Sequence, residues 1–161
     1  MRRSWKALIV AAAVLLGTVG VMSLATASTT EATKLAFTAK IIQSTQLDHH
    51  PHGFSQGDEA IIAYQLLMGG KAVGLAGVTC TVVHAAGSAP GPESHQQCVG
   101  TFDLPKGQIT AQGMFAVAPL QRAPFAITGG TGAYRDAGGQ GTVTDISPTT
   151  ERIVLHIDNL E

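Results

Sequence analysis

The chain has 161 residues, is 45% hydrophobic and 13% charged, and carries ten Lys and Arg against eleven Asp and Glu, for a formal net charge of −1. That length bounds it to one domain. The lack of any basic run argues against a nucleic-acid partner, which needs clustered cations to neutralise phosphates. With only two cysteines and no C-x-x-C spacing, a cysteine-rich metal module is excluded.

The chain begins like an export signal. Arg2, Arg3 and Lys6 precede an apolar stretch from Ala7 to Leu24, and Ala25-Thr26-Ala27 supplies the small residues that signal peptidase requires. Cleavage is expected after Ala27. The expected result is a secreted domain of residues 28–161 with no stable membrane span after cleavage. The remaining part holds seven basic residues against eleven acidic ones and is mildly acidic.

Helical periodicity is hard to find beyond Ala27. Short runs of β-formers alternate with Gly, Pro, Asp and Ser, and eight strands are expected near 34–43, 58–68, 71–84, 96–103, 108–117, 124–128, 139–146 and 151–158. In the second run Asp58, Ala60, Ile62, Tyr64, Leu66 and Met68 share one face, and Glu59, Ile61, Ala63, Gln65 and Leu67 the other. Neither face is polar, so the strand is expected to be covered on both sides, by a partner subunit or an extra layer.

Cys80 in the third run and Cys98 in the fourth flank a Pro- and Gly-rich tip. In an oxidising compartment such a pair reads as a disulfide across a hairpin. Closing that loop contributes about 3 kcal/mol in the chain-entropy model. In the fifth run Ile109, Ala111, Gly113 and Phe115 oppose Gln108, Thr110, Gln112 and Met114; in the last, Ile153, Leu155 and Ile157 oppose Arg152, His156 and Asp158. Eight strands with mostly tight connections form either a closed barrel or a sandwich. Glycines within the strands (Gly74, Gly77, Gly100, Gly113, Gly141) lean toward the barrel.

Two segments are more specific than composition. One runs from Gly100 to Gly113 through Leu104-Pro105-Lys106-Gly107; the other is Phe125-Ala126-Ile127-Thr128-Gly129-Gly130-Thr131-Gly132-Ala133-Tyr134-Arg135-Asp136-Ala137-Gly138-Gly139. Together they resemble the dirigent proteins and the related allene oxide cyclase barrels, through roughly residues 34–158. The resemblance implies an all-β, eight-stranded antiparallel barrel with a largely apolar internal pocket, often assembled as a homo-oligomer such as a trimer. It also implies confinement of a small apolar molecule and an isomerase or cyclase activity with no metal and no organic cofactor. There are departures. Ala137 is followed by Gly138-Gly139 rather than Arg-Gly, Met114 stands where an Arg is usual, and no Pro-Asn-Pro segment is present. The catalytic residues of those families therefore do not carry over.

Candidates come instead from the residues themselves. Asp58 and Asp145 are candidate general acids, if burial in a barrel raises their pKa. Tyr64 and Gln112 are candidate hydrogen-bond donors to a ligand oxygen. Gly129-Gly130-Thr131-Gly132 lacks the Lys-Ser/Thr of a phosphate loop and reads as a tight turn. Tyr134 and Arg135 beside it are expected to pack that turn and are kept as candidate ligand contacts. His49-His50-Pro51-His52 reads as a solvated loop rather than a metal site, and Ser55 and Ser94 lack a nucleophile elbow. Two functions stay open: a cofactor-free cyclase or stereochemical guide, and a non-catalytic ligand carrier or cell-surface structural protein.

Overall fold

The structure is a computed structural model that describes residues 32–117 and 122–158. The export segment and its cleavage site lie outside the described residues. Eight strands follow one another: β1 (Thr33–Leu47), β2 (Glu59–Met68), β3 (Lys71–His84), β4 (His95–Leu104), β5 (Gly107–Ala116), β6 (Ala123–Gly130), β7 (Gly138–Ser147) and β8 (Thr150–Asp158). Each pairs antiparallel with the next, and β8 returns to β1, so the sheet closes on itself as a barrel. Closure leaves no edge to be satisfied by another chain. Among the described residues no helix is long and apolar enough to cross a membrane.

All eight expected strands are present, with β1 extending further than expected. The extension passes through an irregularity in its pairing with β2 between Ile41 and Gln43. A bulge there bends the strand and shifts its alternation, so that Ile42 is exposed while Gln46 returns to line the interior. Pattern reading with a strict period of two stops at such a point.

The barrel has two unlike ends. At one end the connections are tight: Gly69-Gly70 joins β2 to β3, Pro105-Lys106 joins β4 to β5, and a 3-10 turn over Gly132–Tyr134 lies between β6 and β7. Gly107 has φ +139, and a side chain there would collide with the Thr131 carbonyl of the neighbouring connection. Thr131 also accepts the Gln108 N–H through Oγ1 at 3.0 Å. The two connections are thus locked together. Below them the interior is filled by Phe37, Leu66, Leu104, Ile109, Leu155 and Ile157, all buried in one core cluster. At the other end, the connections after β1, β3 and β5 are longer, and the interior is not filled.

The disulfide joins Cys80 and Cys98, which are directly opposed in the β3–β4 register. Non-adjacent in sequence but adjacent across the ladder, the pair staples the unfilled end. The second strand is not covered on both sides within this chain. Among the described residues its outward Ile61 is 44% exposed, and Val99 of β4, two strands away across Thr79, is 55% exposed.

Candidate functional site

Residues from all eight strands line a cavity of about 600 Å³ at the less filled end. That volume lies in the range of small-molecule sites. Ile62, Val78, Val143 and Ile153 supply aliphatic wall, and Phe102, Phe115 and Phe125 supply aromatic wall. Phe102 and Phe125 lie nearly parallel, with ring centroids 6.4 Å apart. Glycine makes the aromatic wall possible at one place in particular: a Cβ on Gly141 would meet the Phe125 ring. The disulfide forms part of the same wall.

A hydrogen-bonded pair of polar side chains stands among these walls. The Tyr64 hydroxyl donates to Glu151 Oε1 at 2.9 Å, from β2 to β8 across the intervening β1. Ala39 of β1 lies opposite both Leu66 and Glu151 in the register and is fully buried. Ala39 thus presents only a methyl group next to Glu151, while Ile41 on the same face stands opposite Tyr64. Burial pushes the Glu151 carboxyl up from its ordinary 4.5, with the Tyr64 hydrogen bond opposing that rise and the charge of Asp145 adding to it. Tyr64 is raised far above its ordinary 10.0, first by burial and then by the negative charge of Glu151. Tyr64 is thus a neutral donor, and Glu151 is a carboxyl that takes up a proton more readily than one in water. The other Glu151 oxygen accepts no hydrogen bond from the described residues.

The residues expected from sequence fall in several places. Tyr64 lies in the cavity wall, as a buried donor. Asp145 sits opposite Glu151 in the β7–β8 register. Its pKa is raised by desolvation, the expected direction, but it stands outside the cavity lining.

Asp58 requires a correction. It borders the cavity, but its pKa is lowered rather than raised, chiefly by the backbone N–H of Ser55 and then by that of His49. Those groups donate to Oδ2 at 2.8 Å and to Oδ1 at 2.9 Å respectively. Two N–H groups bound to a carboxylate favour its ionised form, so Asp58 clasps the β1–β2 loop and its shift runs opposite to the one expected of a general acid.

Gln112 borders the cavity but is exposed, on the face of β5 opposite Ala111 and Phe115. Tyr134 and Arg135 lie at the opposite, filled end. Tyr134 packs on the core there, and Arg135 is exposed beside Asp136 at 3.5 Å. Alternation turns Gln112 outward at the border of the cavity, and the topology puts Tyr134 and Arg135 at the pole away from it.

Glu151 was missed, although a signal existed. It lies two residues before Ile153 and so on the same face as Ile153, Leu155 and Ile157. The histidine loop is exposed, with His49 3.8 Å from Glu59 and His52 3.6 Å from Asp48. Among the described residues, no three His, Cys, Asp or Glu side chains come together as metal ligands.

No curated protein sequence matches the chain. Among solved structures it is similar to a pyocyanin demethylase, with 27% identity and a TM-score of 0.68 over 78% of this chain and 100% of the other. A Diels-Alderase from Streptomyces koyangensis shares the fold at 17% identity and a TM-score of 0.59, over 80% of this chain and 70% of that one. A pterocarpan synthase dirigent protein does so at 17% identity and a TM-score of 0.59, over 78% and 87%. The model of the allene oxide cyclase barrel like domain matches residues 38–155. With that match over most of its length, and with eight strands closed around an apolar cavity, the chain belongs to the allene oxide cyclase barrel like family.

Proposed function

We propose that the protein holds a small, largely apolar organic molecule in the barrel and guides its rearrangement or cyclisation by moving a proton at Glu151. The observation that carries this reading is the Tyr64–Glu151 hydrogen bond among the aliphatic and aromatic walls of the cavity. In its acid form Glu151 gives its proton to a carbonyl or epoxide oxygen, or to an unsaturated carbon. The resulting carboxylate then takes a proton from another position of the same molecule. Such an isomerisation balances within the substrate and calls on no oxidant, reductant or cofactor. Tyr64 orients the carboxyl and, as it stays neutral, donates to whichever oxygen carries negative charge. The apolar walls exclude water from a reactive intermediate.

The similarity to a demethylase at 27% identity and to a cyclising Diels-Alderase supports a small organic substrate. Removal of residues 1–27 as an export signal would place this chemistry outside the cytoplasm, in residues 28–161. The outer face of β2 to β5 carries exposed Ile61, Leu75, Val99 and Met114. This supports a homo-oligomer, dimer or trimer, that covers it.

Native mass spectrometry of the full chain recovered from secretion medium tests the reading, because it reports ligand and oligomer together. The expected result is one small organic molecule per chain, differing in structure between wild type and Glu151→Gln. The same unchanged molecule from both would make the protein a carrier, and recovery of none would remove the ligand reading altogether.

A further inference from the structure

The charges around the cavity are all of one sign. Asp48, Asp58, Glu59 and Glu151 line it, and no Lys, Arg or His does so among the described residues. Three of these carboxylates are already engaged by the protein. Asp58 is held by the backbone N–H groups of His49 and Ser55. Asp48 accepts from the Gly53 N–H at 3.2 Å and lies near His52. Glu59 accepts from the Thr81 hydroxyl at 3.3 Å and lies near His49.

Glu151 is different, being the one carboxyl set among the aromatic and aliphatic walls. Its neighbours there are Tyr64, which is a neutral donor, and Asp145, which carries charge of the same sign. An anionic ligand entering this cavity would lose its water and meet only like charge, which low dielectric makes costly. A cationic ligand would meet both a carboxylate and the negative faces of Phe102, Phe115 and Phe125.

Resting on the cavity reading above, we propose that the ligand is a flat aromatic molecule carrying a positive charge, such as a cationic nitrogen heterocycle, and that carboxylate-bearing molecules are rejected. The aromatic walls and the carboxyl recognise different parts of the same ligand. Rings bury against Phe102, Phe115 and Phe125, and the charge faces Glu151. Selectivity then arises as much from the repulsion of anions as from attraction of the cation. The carboxylate rim at the mouth adds a field that draws cations in and slows anions.

Three tricyclic probes of matched shape test this: N-methylacridinium, acridine at mildly alkaline pH where it is neutral, and acridine-9-carboxylate. Each is titrated by fluorescence or calorimetry into the full chain, and into Glu151→Gln and Ala111→Trp. The cation is expected to bind about tenfold more tightly than acridine, and the carboxylate about tenfold more weakly, the scale of one charge-assisted contact. In Glu151→Gln the ratio of cation to acridine affinity should fall to about threefold or less, with circular dichroism reporting separately that the variant is folded. Ala111→Trp, which places an indole in the cavity, should weaken all three.

Equal affinities for the three, or tighter binding of the carboxylate, would overturn the charge preference and leave the cavity reading standing. Binding of none, or binding unaffected by Ala111→Trp, would overturn the cavity reading and this proposal with it.

Discussion

The two ends of the barrel are built from the same eight strands and solve opposite problems. At the filled end, tight connections draw the strands together, and Leu66, Ile109, Leu155 and Ile157 are fully buried against one another. At the open end, the connections after β1, β3 and β5 are longer. There Gly100 and Gly113 replace inward bulk, and the inward residues line space. The filled end therefore supplies stability, and the open end leaves room for a small molecule. A closed ladder lets both coexist, because backbone hydrogen bonding does not depend on how the interior is packed.

The largest expected effect separates the ends directly. Ile157→Ala removes a side chain with no exposure and should cost about 2–5 kcal/mol, whereas Ile62→Ala, at the cavity wall, should cost about 1 kcal/mol. Urea unfolding of the two variants measures the difference, and equal costs would break the comparison. Next, replacing Cys80 and Cys98 together by Ser should cost about 3 kcal/mol. That loss is expected even though the staple lies in the open half, since cross-linking acts largely on the unfolded chain.

A smaller effect concerns the polar pair. Tyr64→Phe should lower stability by about 1 kcal/mol and raise the Glu151 pKa further, because the phenol's hydrogen bond is the influence that opposes the rise. Carbon-13 carboxyl titration by NMR reads this, and an unchanged or lowered midpoint would show that the hydrogen bond is not made.

The pH dependence of stability has two opposed parts. Glu151 and Asp145 have raised pKa values in the fold, so their contribution is fully present below their ordinary 4.5 and 3.8. It is lost as pH rises through the raised values. Asp58 is lowered, so its contribution is present above its ordinary 3.8 and is lost as pH falls through the folded value. Glu151→Gln should therefore be more stable than wild type at neutral pH, with the gap narrowing in acid. Asp58→Asn should be less stable at neutral pH, with its gap also narrowing in acid. Thermal melts across pH check both signs. The first would be an instance of a functional group held at a cost in stability.

Much of this architecture was legible before the fold was known. Alternation and turn residues located every strand, and the oxidised cysteine pair followed from its place across a hairpin tip. Strand parity also grouped Tyr64 with Ile62 and Leu66 on one face, without saying which face is inward. The site was less legible for three physical reasons. Glu151 meets Tyr64 across 87 residues of sequence, and only barrel closure brings β8 beside β1. Asp58 shares the parity of Tyr64, yet it lies before the strand begins, where loop N–H groups decide its charge state. Tyr134 and Arg135 sit in the most recognisable sequence motif, which belongs to the filled end. A distinctive turn motif here reports how the barrel is closed and not where its ligand binds.

The central claim is that the open half, and only the open half, receives a small molecule. Methyl-labelled NMR of the full chain with added acridine tests it most directly. The account predicts shift changes at Ile62, Val78, Val143 and Ile153, with Leu66, Leu104, Ile109, Leu155 and Ile157 unmoved. Changes centred instead on the outward Ile61, Leu75 and Val99, or spread evenly through the filled end, would contradict it.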